Sequence, residues 1–135
     1  MKHFTIPELT YSTTAHRLGI DNLPSPAAMR NLMLLTDKVL DPVRELWGRP
    51  LVVTSGYRCT ELNRQVGGVN GSQHLTGLAA DLVTLGCNKL SNYRLYEMIK
   101  ASAIPFDQLI AEGRNGNTCA WVHVSWSAAP RRQAL

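Results

Sequence analysis

The sequence lacks a long hydrophobic run, an internal repeat and any stretch of low complexity. Nowhere in its 135 residues does an apolar run reach the roughly 18 residues that a membrane-spanning helix needs, so no membrane partner is predicted. The first eight residues contain no apolar stretch of the kind found in a secretory signal. We therefore expect a chain that is made in the cytoplasm.

Cysteine is scarce, and its spacing excludes two common uses. The three cysteines are Cys59, Cys87 and Cys119, an odd number without a short-range pair, which does not indicate a disulfide framework. No two of them have the C-x-x-C spacing of a structural zinc site. We expect reduced thiols that pack as small apolar side chains.

Concentrated positive charge is also absent, although the chain is basic overall. The net charge of +4 and the isoelectric point of about 9.2 favour anionic partners in general. The basic residues are scattered, however, and only Arg131 and Arg132 are adjacent. Because no basic stripe alternates with aromatic residues, the sequence does not predict a nucleic-acid partner.

The apolar pattern predicts one α+β domain over residues 1–135, in which helices pack on a small antiparallel or mixed sheet. Residues 1–24 resemble an irregular N-terminal arm with at most one short helix. Helices are predicted over residues 25–47, 60–66 and 88–101, and strands over 51–54, 78–84, 106–112 and 120–126. Pro42 predicts a bend in the first long helix, and the turn-forming residues 113–118 predict a hairpin.

Three residues stand out as potential metal ligands. His74, Asp81 and His123 supply two imidazoles and one carboxylate, a ligand set typical of catalytic zinc. Asp81 lies in a predicted buried strand, where an isolated charge would be costly, so it needs a partner or a metal. Strand alternation can bring Asp81 and His123 to one cleft, and Gly77 can turn the chain so that His74 joins them.

The sequence motifs around these residues resemble those of a known family. Ser55-Gly56-Tyr57-Arg58, the pattern S-x-H-x-x-G-x-A-x-D over residues 72–81, and Trp121-Val122-His123 resemble the M15 group of zinc peptidases. This group includes D-alanyl-D-alanine carboxypeptidases and the L-alanyl-D-glutamate endolysins of bacteriophages. The resemblance covers about residues 4–126, is strongest to the small single-domain branch, and implies a fold like that of hedgehog and the D,D-peptidases.

The resemblance implies roles for particular residues. His74, Asp81 and His123 would bind Zn²⁺, and Arg58 would bind substrate and stabilise the oxyanion. A guanidinium suits that role because it stays charged and presents forked donors. Three further candidates for lining the substrate cleft are Ser72, Gln73 and Trp121.

One position departs from the family pattern and leaves the general base open. Many members carry an acidic residue three positions before the last zinc histidine, where this chain has Ala120. Glu112 is our candidate instead. If it pairs with Trp121 across the hairpin, it lies about 7 Å along the sheet from His123, but pairing with Cys119 would make the separation about 13 Å. The sequence does not decide between these registers.

Asp107 is the rival carboxylate, which could instead hold a zinc histidine through its second ring nitrogen. Taken together, the sequence predicts a monomeric zinc peptidase that hydrolyses peptidoglycan stem peptides or cross-links, of phage or prophage type. We expect it to act on the cell wall only after release from the cytoplasm or as part of a virion. The alternative is a non-catalytic, zinc-stabilised module that binds the cell wall or belongs to a phage structure, which Ala120 keeps open. A nucleic-acid-binding domain ranks last.

Overall fold

The computed structural model describes residues 1–86 and 88–135. Its helices are α1 Ile6–Thr10, α2 Thr13–Leu18, α3 Pro26–Leu35, α4 Asp41–Trp47, α5 Thr60–Gln65 and α6 Lys89–Lys100. Its strands are β1 Leu51–Ser55, β2 Ala79–Thr84, β3 Gln108–Glu112, β4 Trp121–Ser125 and β5 Gln133–Ala134. The predicted α+β class is confirmed, and no helix among the described residues is long and apolar enough to cross a membrane.

The five strands form one mixed sheet in the order β1-β2-β4-β3-β5. The first four are antiparallel, and β3 and β4 form the predicted hairpin, whereas β5 pairs with β3 in parallel. Strand β5 was not predicted, because two residues are too few to show an alternating pattern. Its position depends on contacts with β3, including the bond that the Gln133 amide donates to the Asp107 carbonyl at 2.9 Å.

One face of the sheet is covered by helices and holds the core. Alternate residues of the central strands point into it, among them Leu82, Val122 and Leu109, each with no exposed surface. Helix α6 and the long helical segment that ends in α4 supply the facing side chains. Since strand residues alternate between faces, Asp81 and His123 are directed to the opposite face.

The predicted helix over residues 25–47 is continuous but not uniformly α-helical. A π-helical turn, Thr36–Leu40, joins α3 to α4 directly before Pro42, where the sequence predicts a bend. Proline has no amide hydrogen to donate and its ring crowds the preceding turn, and the wider turn accommodates it. Gly48, with φ of 75°, ends the segment as a left-handed cap.

The N-terminal arm is more regular than the sequence predicts, with two short helices rather than one at most. Thr5 and Glu8 form a capping box at the start of α1, and Ser12 caps α2. Leu9 is fully buried in the main core. The sequence does not reveal both helices, because five or six residues are too few to show a helical repeat of apolar positions. Their formation depends on the capping residues and on burial in the tertiary structure.

The cysteines that the structure describes are free thiols, as expected. Cys119 is fully buried, and its burial raises the pKa of its thiol. Cys59 precedes α5, where its sulfur accepts the Leu62 amide hydrogen at 3.4 Å. Cys87 lies outside the described residues.

Candidate metal centre and substrate cleft

The sheet register brings two of the three candidate ligands together. Asp81 on β2 lies directly opposite His123 on β4. His74 belongs to a short 3-10 turn, Gln73–Thr76, which ends at Gly77 with φ of 82°. A side chain at Gly77 would also approach the Ala28 carbonyl oxygen to 2.6 Å, so this reversal requires glycine. The turn carries His74 back to the start of β2.

The three side chains have the geometry of a metal site. Asp81 Oδ1 lies 3.3 Å from His74 Nε2 and 3.0 Å from His123 Nδ1. One ligand atom from each residue lies within 4.8 Å of the other two. Zinc bonds of about 2.0–2.2 Å in a tetrahedron place ligand atoms about 3.3–3.6 Å apart, so the 3.3 Å separation matches the ion and the 3.0 Å separation is slightly shorter. The group therefore fits zinc with one position left for a further ligand.

The ring of His74 is held in the orientation that a ligand needs. Its Nδ1 lies 2.7 Å from the Gly56 carbonyl oxygen and donates a hydrogen bond there, and its Nε2 faces Asp81 Oδ1 at 3.3 Å. Position 56 requires glycine, because a Cβ there would lie 2.2 Å from the Leu9 carbonyl oxygen. The rival role for Asp107, holding a zinc histidine, is therefore wrong for His74, whose second nitrogen already has a backbone partner.

Asp81 is a buried carboxylate kept in its charged form by its neighbours. It is 6% exposed, and burial alone would raise its pKa. Hydrogen bonds and positive charge from His123 and His74 outweigh that effect and hold the pKa of Asp81 well below its usual range. Arg58 adds an ion pair, with Nη2 3.5 Å from Asp81 Oδ2. A divalent cation at this site would require the charged form of the Asp81 carboxylate.

Arg58 is anchored on three sides. Its Nε donates to Ser55 Oγ at 3.0 Å and its Nη1 to Asn63 Oδ1 at 3.2 Å, in addition to the contact with Asp81. Burial lowers the pKa of Arg58, and the charge of Asp81 opposes that effect, but a guanidinium remains protonated. Ser55 belongs to the Ser-Gly-Tyr-Arg motif, whereas nothing in the sequence singled out Asn63.

All the predicted site residues border a single cavity of about 690 Å³. Besides the three candidate ligands, its wall includes Arg58, Ser72, Gln73, Glu112, Trp121 and Arg131. The glycine-rich segment 66–71 forms part of the rim, where Val69 is 73% exposed. The cavity therefore combines a potential metal site, fixed positive charge, a carboxylate and an apolar edge.

Glu112 occupies the nearer of the two registers considered from the sequence. It pairs with Trp121, while Ile110 pairs with His123. Glu112 is thus two residues along β3 from the level of His123, or about 7 Å. Ala120 continues the backbone pairing of β3 with β4, since its amide hydrogen is donated to the Glu112 carbonyl at 2.8 Å. No ion pair holds the Glu112 carboxylate within residues 1–86 and 88–135.

A second buried carboxylate, Asp107, lies beside the cleft. Arg131 donates to it from Nε at 3.0 Å, from Nη2 at 2.8 Å and from its backbone amide at 2.9 Å. Gln73 Nε2 donates to the same carboxylate at 3.0 Å. The hydrogen bonds from Arg131 outweigh burial and hold the pKa of Asp107 well below its usual range. The sequence did not single out Arg131 as a site residue, because an arginine outside any motif or periodic pattern gives no such signal.

Comparison with protein families gives a match over most of the chain. A family model described as Peptidase M15 matches residues 2–125, a range that includes all three candidate ligands, Arg58 and Glu112. The chain belongs to the Peptidase M15 family. None of the curated proteins compared with it is similar enough to count as a relative.

Peptidases of the M15 family depend on zinc, and the cluster of His74, Asp81 and His123 could hold such an ion. The family assignment supports a metallopeptidase whose substrate is related to peptidoglycan. The match includes the N-terminal helices and ends before Arg131, so the contacts of Arg131 with Asp107 reach beyond the matched range.

Proposed function

We propose that this protein is a zinc-dependent peptidase that hydrolyses stem peptides or cross-links of peptidoglycan. The observation that carries the proposal is the convergence of His74, Asp81 and His123 at ligand distances on the wall of an open cavity. We further propose that it acts as a monomer, in the manner of a phage or prophage lytic enzyme, on cell wall that it reaches after release from the cytoplasm.

The metal would be held by His74 Nε2, Asp81 Oδ1 and His123 Nδ1, the atoms that lie together in the structure. When bound, zinc supplies Lewis acidity for the peptide carbonyl and lowers the pKa of water in its remaining position. The chain's contribution is to fix these three atoms in advance. His74 does so through Gly56, and Asp81 through its position opposite His123 on the sheet.

We assign the general base to Glu112. In hydrolysis a water oxygen bonds to the peptide carbon, the carbon–nitrogen bond breaks, and a proton moves from water to the leaving amine. Glu112 borders the cavity and has no ion-pair partner within the described chain, so its carboxylate is available to accept and return that proton. Its support is geometric: the register directs it to the same face as His123.

We assign oxyanion stabilisation and substrate binding to Arg58. Its three hydrogen bonds use three of the five guanidinium N–H groups, which leaves two for a substrate oxygen. Because the side chain is anchored before substrate arrives, little reorganisation is needed when negative charge develops on the carbonyl oxygen.

Three further residues are proposed to line the substrate cleft. Trp121 is 38% exposed and offers an aromatic surface at the cavity wall. Ser72 borders the cavity and its hydroxyl also accepts the His74 amide hydrogen at 3.2 Å, so it supports the turn that carries a ligand. Gln73 follows it, with its amide group fixed by Asp107.

The second candidate function is a non-catalytic, zinc-stabilised module that binds the cell wall or belongs to a phage structure. Ala120 favours it, because this residue cannot transfer a proton at a position where many family members carry an acid. The two candidates share the metal site and differ only in whether any peptide bond is cleaved.

The proposal is tested by measuring zinc content and cleavage of purified muropeptides with mass spectrometry of the products. Wild type should carry one zinc per chain and cleave a defined bond, and chelation should abolish cleavage until zinc is restored. His123→Ala should lose both properties. His16→Ala, which removes an exposed histidine from α2, is the matched control and should retain both.

Stoichiometric zinc without cleavage of any muropeptide would favour the non-catalytic module. Equal cleavage by wild type and His123→Ala would contradict the metal mechanism itself.

A further inference from the structure

Asp107 is a buried carboxylate for which the proposed mechanism has no use. It is 2% exposed, yet it receives two guanidinium hydrogen bonds from Arg131 and one amide hydrogen bond from Gln73. A buried charge is retained only where its partners compensate for lost hydration. Here the partners are two residues of the cleft wall, so Asp107 fixes the orientation of both.

Arg131 is fixed at one edge and open at the other. Nε and Nη2 are bound to Asp107, whereas Nη1 has no hydrogen-bond partner among residues 1–86 and 88–135. Its side chain is 56% exposed and borders the same cavity as the candidate zinc ligands. A guanidinium held in this way offers its free N–H groups to a second acceptor with little further loss of side-chain entropy.

Gln73 supplies an independent observation. A carboxylate only accepts hydrogen bonds, so the amide nitrogen of Gln73 must face Asp107 and the amide cannot be reversed. Its Oε1 is shielded from solvent and has no hydrogen-bond partner within the part of the chain that the structure describes. Buried acceptors without a partner are rare in native proteins, and Gln73 borders the cleft, so an N–H group of a bound molecule is a candidate partner for this oxygen.

We propose that Arg131, positioned by Asp107, binds a carboxylate of the substrate, and that Gln73 Oε1 accepts an N–H group of the same residue. The pair fits an amino-acid residue that carries a free carboxylate, next to the bond that is cleaved. This inference rests on the proposed peptidase function and adds to it a specificity determinant, which lies in part beyond the range matched by the family.

The test uses zinc-loaded protein and a set of stem peptides in which each free carboxylate is converted to a carboxamide, one at a time. Wild type should have a higher kcat/KM for one free carboxylate than for its amide. Arg131→Gln should lower kcat/KM about 10-fold to 100-fold for the carboxylate form only, since hydrogen bonds to charged groups contribute about 1.5–3 kcal/mol.

Two variants control for other effects of the substitution. Arg17→Gln makes the same change in net charge at an exposed position of α2 and should retain the wild-type preference. Arg131→Lys keeps the positive charge without the forked donors of the guanidinium, and it should retain only part of the preference for the carboxylate. Thermal unfolding of each variant, followed by circular dichroism, identifies any loss caused by misfolding.

An Arg131→Gln protein that still discriminates between carboxylate and amide as wild type does would overturn the inference while leaving the peptidase function intact. An equal loss on every peptide would also overturn it, because that result indicates a purely structural role. If zinc-loaded wild type cleaves no peptide, the proposed function fails, and this inference fails with it.

Discussion

Two buried aspartates flank the same cleft and have different surroundings. Asp81 is 6% exposed and Asp107 is 2% exposed, and the pKa of each carboxyl lies well below its usual range. Asp81 is surrounded by His74, His123 and Arg58. Asp107 is bound by Arg131 and Gln73. Both carboxylates are therefore charged, and only the chemistry of their partners differs.

The partners determine what each carboxylate can do. An imidazole nitrogen has a lone pair and can bind a metal beside the carboxylate, so Asp81 lies in a potential metal centre. Guanidinium and amide nitrogens only donate hydrogen bonds, which excludes a comparable centre around Asp107. A buried charged carboxylate is therefore not by itself evidence for a metal site; its neighbours must also offer lone pairs.

The strongest test of this contrast replaces each aspartate by asparagine. Asp81→Asn should lose stoichiometric zinc, and with it cleavage by on the order of 10³-fold, because the metal contributes several kcal/mol to transition-state stabilisation. Asp107→Asn should keep its zinc. Metal analysis and muropeptide cleavage measure both effects, and equal zinc loss in the two variants would invalidate the distinction.

The next effect concerns Glu112, a third carboxylate in the cleft that has neither set of partners. Glu112→Gln should retain zinc and lower kcat by about 100-fold or more, as expected on removal of a general base. The measurement is single-turnover cleavage with zinc content determined in parallel. Glu61→Gln, at an exposed position of α5, is a matched control. Full activity of Glu112→Gln would remove the base assignment alone.

A smaller effect is expected at Asn63, which binds Arg58, the ion-pair partner of Asp81. Asn63→Ala removes the acceptor 3.2 Å from Arg58 Nη1 and should lower kcat about tenfold, since a hydrogen bond to a charged group is lost. Asn63→Asp keeps that acceptor and should recover part of the activity. If both variants lose activity equally, the bonds from Asn63 to the 66–71 segment matter instead, such as its donation to the Val69 carbonyl at 2.9 Å.

The smallest effect is on acid stability. The folded-state pKa of Asp107 lies below its unfolded value of about 3.9, so its stabilising contribution is complete above that pH. It is lost as the pH falls through the folded-state pKa. Asp107→Asn should therefore show a shallower decline in the free energy of unfolding below about pH 4 than wild type, measured by urea titration. Asp37→Asn, at an exposed carboxylate, should keep the wild-type slope.

Much of the metal centre was predictable because its residues are unusual in their local context. Asp81 and His123 are polar residues in strands of core character, His74 lies close to Gly77 before the first of these strands, and the motifs around all three match the family pattern. Arg58 was singled out by one of the same motifs. Asn63 and the contact of Asp107 with Arg131 were harder to predict, because Asn63 belongs to no motif and Asp107 and Arg131 are 24 positions apart in the chain.

The sequence by itself determined the fold class and the main helices and strands, and it indicated the candidate metal-ligand set, since these depend on local periodicity and on residue chemistry. Only the tertiary structure decided the register that places Glu112 opposite Trp121, the two N-terminal helices, and the return of the chain through β5. Strand register and side-chain partners across the sheet arise from packing and hydrogen bonds between distant segments, and a one-residue shift would direct Glu112 to the other face.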